Sequence, residues 1–187
     1  KQIIHRWMLM AVFCLGASLI GINAQEKDWA NLQRYAQQNA ELPKPDKNEK
    51  RVVFMGNSIT EGWVNTHPDF FKSNGYIGRG IGGQTSYQFL VRFREDVINL
   101  SPALVVINAA TNDIAENTGA YHEDRTFGNI VSMVELAKAN HIKVILTTTL
   151  PAAAFGWNPA IKDAPQKIAS LNARLKAYAQ TNKNPFV

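Results

Sequence analysis

Three short stretches of this 187-residue chain carry groups suited to attack on an acyl carbonyl. Gly56-Asn57-Ser58-Ile59-Thr60 closes an apolar run over residues 52–55, and four apolar residues stopped by a glycine predict a buried strand. Ser58 then stands on a strand-to-helix turn, which lifts a hydroxyl out of the backbone above a sheet. Gly82-Gly83 offers backbone N–H groups that can point at an anion. Asn112 adds a side-chain amide donor. A serine with two or three aimed donors is the equipment of acyl transfer, a nucleophile beside an oxyanion hole. Each stretch also has a plainer use. Ser58-Ile59-Thr60-Glu61 fits a capping box, Gly82-Gly83 suits a tight turn, and Asn112-Asp113 suits a helix cap or an Asx turn. The chemical reading gains weight only if separate turns bring these groups to one rim.

The elements that must do so follow from hydrophobic period. Trp29, Leu32, Tyr35 and Ala36 recur at helical spacing and predict a helix over residues 28–42. A polar, proline-containing linker fills residues 43–50, and the first strand follows at 52–55. From Ser58 to Asn74 the chain is expected to be irregular beyond a helical opening, with Trp63, Phe70 and Phe71 as buried anchors. Tyr76-Ile77 is a weak second strand. Ser86, Leu90, Phe93, Val97 and Leu100 step by three and four along an amphipathic helix. Residues 103–109 are nearly all apolar, which suits a strand buried on both faces. A helix carrying Phe127, Ile130, Val131, Val134 and Ala137 leads to a fourth strand over residues 143–150. Pro165 opens another helix, with Ile168, Leu171, Leu175 and Tyr178 inward, and residues 184–187 begin a fifth strand.

Strands alternating with helices imply an α/β fold with a parallel sheet wound by right-handed crossovers. Ligands bind such sheets beyond the carboxyl ends of the strands. That rule selects residues 56–60, 78–85, 110–113 and 151–157, which are expected to share one rim. The same glycines allow a rival reading, since Gly78, Gly80 and Gly83 satisfy G-x-G-x-x-G ahead of a helix. Its context is poor for a dinucleotide. The strand before it is short, is not the first of the unit, and no acidic residue falls at a strand end about 20 positions on.

The composition, 45% hydrophobic and 19% charged, fits one globular domain. The formal charge of +5 includes Lys1 and Arg6, and the other basic residues are scattered rather than gathered in the stripe a nucleic acid needs. Residues 1–24 read as a signal peptide: a basic start, an apolar stretch from Trp7 to Ile22, and Ile22-Asn23-Ala24 before cleavage. The stretch is short for a membrane span, so no stable anchor is expected after cleavage. Cys14 is the only cysteine and lies in this leader, so the mature chain has no disulfide and no thiol ligand or nucleophile. The expected location is periplasmic or secreted.

With these motifs in place, the chain resembles the SGNH (GDSL-type) serine esterases and acylhydrolases, including bacterial secreted GDSL-like lipases and platelet-activating-factor acetylhydrolase-like esterases. Three of the four blocks of that family occur in order. They are Gly56-Asn57-Ser58-Ile59-Thr60, with Asn57 where many members have Asp; Gly80-Ile81-Gly82-Gly83-Gln84-Thr85; and Ala110-Thr111-Asn112-Asp113, with Ala110 for the usual glycine. The resemblance implies a flavodoxin-like three-layer α/β/α sandwich over residues 51–187, preceded by an N-terminal helix and linker over 25–50. It implies Ser58 as nucleophile, with an oxyanion hole made by the N–H groups of Ser58 and Gly83 (less favourably Gly82) and by Asn112. The fourth block, Asp-x-x-His after the fifth strand, is missing. His5 lies in the leader, His67 in a loop and His141 at the opposite edge of the sheet; His122 is the nearest substitute base. The chain is therefore expected to be either a piece truncated in its fifth strand or a degenerate member, and nearly inactive as it stands.

By this reading the protein is an exported serine ester hydrolase that works through an acyl-enzyme, with no metal or organic cofactor. A short acyl group on a carbohydrate is the favoured substrate. Lysophospholipase or thioesterase chemistry is the alternative, and a non-catalytic binding protein is the alternative of another class. Asn57, Gly82, Phe155 and Trp157 are candidate substrate contacts, the two aromatics as surfaces for a sugar ring or as packing.

Overall fold

The computed structural model describes residues 28–187, so the leader expected over residues 1–24 lies outside the described residues. Helix α1 (Gln33–Glu41) opens behind a turn in which the Asp28 carboxylate accepts the N–H groups of Leu32 and Gln33 at 2.8 and 3.0 Å. Strand β1 (Val52–Gly56) leads to α2 (Ser58–Thr66), α3 (Pro68–Ser73) and β2 (Tyr76–Gly80). Next come α4 (Ser86–Asp96), a 3₁₀ turn (Ile98–Leu100), β3 (Leu104–Ile107) and the short α5 (Thr111–Ile114). The chain continues through α6 (Glu123–Ala139), β4 (Lys143–Leu146) and α7 (Ala164–Thr181).

The four strands form one parallel sheet in the order β2-β1-β3-β4, flanked by helices, as the alternation of elements predicts. The chain end adds to it. Leu146 donates its N–H to Pro185 and accepts from Val187, both at 3.0 Å, so residues 185–187 run parallel to β4 and bridge to it at Phe186.

Burial is uneven across the sheet. Val53, Val105 and Val144 stand side by side, as do Met55, Ile107 and Leu146, and all six are buried. They share a core with Phe89 and Phe93 of α4, Met133 of α6 and Leu171 of α7. Leu104 and Val106 on the opposite face are only half-buried, which corrects the expectation of a third strand buried on both sides. There Phe54 meets a cluster of Trp63, Phe71 and Tyr76, with ring centroids 5.3–5.4 Å from its own. Aromatic edges and faces attract at such separations, by about 0.5–1.5 kcal/mol per pair beyond area burial.

The segment from Ser58 to Asn74 is two helices, not irregular chain. Their tight join at His67-Pro68, with proline opening α3, hid the helical period in the sequence. Of the three expected anchors only Phe71 is buried; Trp63 and Phe70 stack on each other and remain about 40% exposed. No helix among the described residues is long and apolar enough to cross a membrane.

Candidate active site

Ser58 is the first residue of α2, directly beyond the carboxyl end of β1, and it is exposed. It does not cap the helix. Asn57 does, in extended backbone, with its Oδ1 accepting the Ile59 N–H at 3.0 Å. Asn57 is buried and its Oδ1 serves this cap, which leaves its two amide N–H groups for the substrate contact expected of it. The Ser58 hydroxyl has no hydrogen bond among the described residues, and the first turn of the helix favours negative charge growing near it. Strand β2 ends tight against this turn. A Cβ on Gly80 would stand 2.3 Å from the Glu61 nitrogen, so only glycine lets the second exit come so close to the first.

The loop after β2 carries the oxyanion candidates. Gly82 lies beside the serine: a Cβ on it would be 3.8 Å from the Ser58 Cβ. Its N–H is taken, donating to Glu61 Oε2 at 2.8 Å. Gly83 sits at φ +76°, where a side chain would be strained, and its N–H has no partner among the described residues. Side chains from three other segments hold the loop around that N–H. Asn117 Nδ2 donates to the Gly83 carbonyl at 3.0 Å, and Asn112 Nδ2 donates to the Gln84 carbonyl at 2.9 Å. Arg92 Nε donates to the Gln84 side chain at 2.6 Å, and that side chain donates to the Ala30 carbonyl. Asn112 is buried and has one amide N–H beyond the one spent on Gln84.

Beneath the rim runs a buried polar network. Arg92, fully buried, pairs with Asp96 at 2.8 Å and donates to the Gly56 carbonyl at 3.1 Å, two residues before the serine. Burial pulls its pKa down, and Asp96 opposes the shift. Asn39 of α1 donates to Asp96 at 2.7 Å and accepts from Arg79 of β2. The Arg79 guanidinium, its pKa also lowered by burial, lies 4.7 Å from the centre of the Tyr35 ring, and the Tyr35 hydroxyl donates to the Gly80 carbonyl. Helix α1 is thus bonded to the end of β2 and to Asp96 of α4 rather than merely packed outside the domain.

Asp113, next to Asn112, ties down the first residue of α4, a helix that Thr85 and Gln88 close with a capping box. Its carboxylate accepts the Ser86 N–H at 2.9 Å, the Ser86 hydroxyl, and the Thr126 hydroxyl at 3.2 Å. Burial raises its pKa above the ordinary carboxylate value, against the pull of those bonds. At the fourth exit Phe155 is buried while Trp157 is 61% exposed, with the two ring centroids 5.2 Å apart. Only Trp157 offers an open face.

No such order surrounds the histidines. His67 pairs with its neighbour Thr66, exposed His122 precedes α6 without capping it, and His141 lies near the amino ends of β3 and β4. None is hydrogen-bonded to Ser58 among the described residues. Among those residues there is also no group of three side chains suited to a metal ion. Glu61, Arg92 and Asn117 were not legible as site residues. Glu61 had shown only as the last position of a capping box, and the other two had no local signal.

An exposed serine at a strand-to-helix turn, a pinned glycine loop and a buried asparagine thus meet on the rim of a parallel sheet in an α/β domain. The sequence model of the GDSL-like Lipase/Acylhydrolase family matches residues 54–187, and the chain belongs to that family. A crystal structure of a candidate acylhydrolase from Bacteroides fragilis NCTC 9343 is 99% identical, with TM-score 0.86 over 87% of this chain and 78% of that one. A GDSL-like lipase from Bacteroides thetaiotaomicron VPI-5482 is 78% identical, with TM-score 0.84 over 84% and 77%. The uncharacterized lipoprotein YqeF of Bacillus subtilis (strain 168) is 32% identical over 117 residues, 54% of this chain. The chain spans about half the length of that curated relative, 48%.

Proposed function

We propose that the protein is a serine ester hydrolase in which Ser58 attacks the acyl carbonyl and the N–H groups of Ser58 and Gly83, with the Asn112 amide, receive the oxyanion. The observation that carries this reading is the arrangement at the second exit. Glu61 occupies the Gly82 N–H, and the Gly83 N–H beside it is left unpaired in a loop fixed on both sides. Fixed donors cost no reorganisation when charge develops, and one such donor is worth about 10²–10³ in rate. The serine oxygen forms the acyl bond and the alcohol leaves with a proton. Water then releases the acid and restores the hydroxyl. The base that takes the serine proton is unassigned, since no described imidazole is bonded to Ser58.

The favoured substrate is a short acyl ester of a carbohydrate, supported by the open aromatic face of Trp157 at the rim. Export is supported by the leader-like residues 1–24 and by the similarity to a lipoprotein. The test is p-nitrophenyl acetate hydrolysis by the full-length protein and its Ser58→Ala variant. The variant is expected to lose on the order of 10⁶ in kcat. Equal rates would refute the nucleophile. A full-length protein without turnover would favour the second reading, a ligand-binding domain that keeps the rim without the base.

A further inference from the structure

Trp157 is the most exposed aromatic side chain of the described fold, yet it is not loose. Its indole N–H donates to Asn117 Oδ1 at 2.9 Å, and its ring leans at 42° on buried Phe155. The loop beneath it is tied again where Asn158 Nδ2 donates to the Ala115 carbonyl at 2.9 Å. A lone exposed hydrophobe needs no explanation. A large one held in a single orientation by its only polar atom does, because ordering it costs side-chain entropy and returns little burial.

The partner of that bond is the informative part. Asn117 spends its carbonyl on Trp157 and its amide on the Gly83 carbonyl, at 2.9 and 3.0 Å. One side chain thus sets the indole and the loop that carries the free Gly83 N–H. With its N–H satisfied, the indole presents a π-face whose negative potential attracts the polarised C–H groups of a pyranose ring. The surrounding rim is polar, with Asn117, Thr118 and Asn158 in the same two loops; the Thr118 hydroxyl pairs with that of Thr85 at 3.1 Å and the Asn158 amide with the Ala115 carbonyl at 2.9 Å, so the open indole face is the surface left for a ring.

We propose that Trp157 is the stacking platform for the sugar ring that carries the ester, and that Asn117 is the positioning residue that registers this platform against the Gly83 N–H. The proposal rests on the reading of Ser58 as the nucleophile of an ester hydrolase. It adds the alcohol side of the substrate: a ring stacked on Trp157 delivers its acyl group to a loop held by the same amide. An acyl ester on a flexible aliphatic alcohol gains far less from such a flat surface.

The test uses the full-length protein, xylotetraose as a binding probe, and two esters, acetylated xylotetraose and p-nitrophenyl acetate. Trp157→Ala is expected to weaken xylotetraose binding by about tenfold, the scale of one aromatic contact. Its kcat/KM should fall about tenfold further on the sugar ester than on p-nitrophenyl acetate, and Trp157→Phe should recover part of the loss. Asn117→Asp still accepts from the indole but has no proton for Gly83. It should hold xylotetraose nearly as tightly as wild type while kcat falls on both esters. Asn117→Ala should lose in both respects. No binding of xylotetraose by the wild type, unchanged binding by Trp157→Ala, or equal losses on the two esters overturns the proposal. The hydrolase reading fails separately, through Ser58→Ala on p-nitrophenyl acetate, while xylotetraose binding reports on the platform alone.

Discussion

The Glu61 carboxylate accepts the Gly82 N–H at 2.8 Å, one helical turn along α2 from the Ser58 that the loop faces. Its other oxygen takes Arg34 of α1 at 3.1 Å. The bond takes up the Gly82 N–H and holds the peptide next to Gly83, the proposed oxyanion donor. Glu61→Ala should therefore lower kcat on p-nitrophenyl acetate by about tenfold to a hundredfold, the cost of a donor displaced by roughly an ångström. Glu61→Gln keeps an acceptor and should lose much less. Stability should hardly change, because the Arg34 partner is half exposed and such pairs contribute about 0–1 kcal/mol. A loss of fold in Glu61→Ala, or no change in kcat, would count against this role.

Asn112 is expected to act in the transition state and in the fold at once. Asn112→Ala should lower kcat by about 10²–10³ with little change in KM. It should also cost about 1–3 kcal/mol in urea unfolding, because the Gln84 carbonyl loses its donor in a buried setting. A KM effect without a kcat effect would move Asn112 from the oxyanion hole to substrate binding.

Much of this was legible in the sequence because it was periodic or local. The runs at residues 52–55, 103–109 and 143–150 predicted the strands now seen in β1, β3 and β4, and the rim followed from the rule for parallel sheets. The runs overshot their strands, since β3 stops at Ile107, before Asn108, and β4 stops at Leu146, before three threonines. What hydrophobic pattern could not show was side chains bonding across 21 to 57 positions. Glu61 with Gly82, Asn117 with Gly83, and Asn39 with Asp96 pair through single hydrogen bonds that leave no period. The cap at the serine was misplaced by one residue for a related reason. Asn57 and Ser58 are both good caps, and the choice lies in the backbone of residue 57, not in composition.

Ala110, at φ +81°, occupies the left-handed region with a methyl group. That costs about 1–2 kcal/mol relative to an unstrained alanine. Ala110→Gly should release the strain while losing a buried methyl and gaining unfolded-state freedom, so its net effect should lie within about 1 kcal/mol of zero. Ala109, equally buried and outside the left-handed region, has no strain to release, and Ala109→Gly should cost about 1–2 kcal/mol. Paired urea denaturation of the two variants isolates the strain. Equal losses would mean that the tight β3 exit does not strain Ala110.

Asp113 gives a pH dependence with a definite sign. Burial raises its folded pKa above the ordinary 3.8, so its protonated form fits the fold better than its ionised form. The contribution to stability is full below 3.8 and is lost as pH rises through the higher folded value. In Asp113→Asn that titration is absent. The stability of wild type relative to the variant should therefore decline as pH rises from 3.8 and level off above the folded pKa, read from melting temperatures across the range. A difference that grows with pH would show that the bonds from Ser86 and Thr126 outweigh burial.

Arg92 joins stability to the site. Its guanidinium satisfies Asp96, the Gln84 side chain and the Gly56 carbonyl with no exposure to solvent. Arg92→Met should destabilise the fold by about 3–5 kcal/mol, chiefly because Asp96 stays buried without its cation. Adding Asp96→Leu removes that charge and should restore part of the loss, so the two substitutions should be non-additive in a double-mutant cycle. The rescue should not extend to catalysis. Gly56 and Gln84 remain without their donor in the double variant, and both belong to the exits that present Ser58 and Gly83. Its kcat should stay at least about tenfold below wild type at a temperature where it is fully folded, on the scale of small misplacements at an active site. Recovery of kcat together with stability would show that Arg92 serves only the fold.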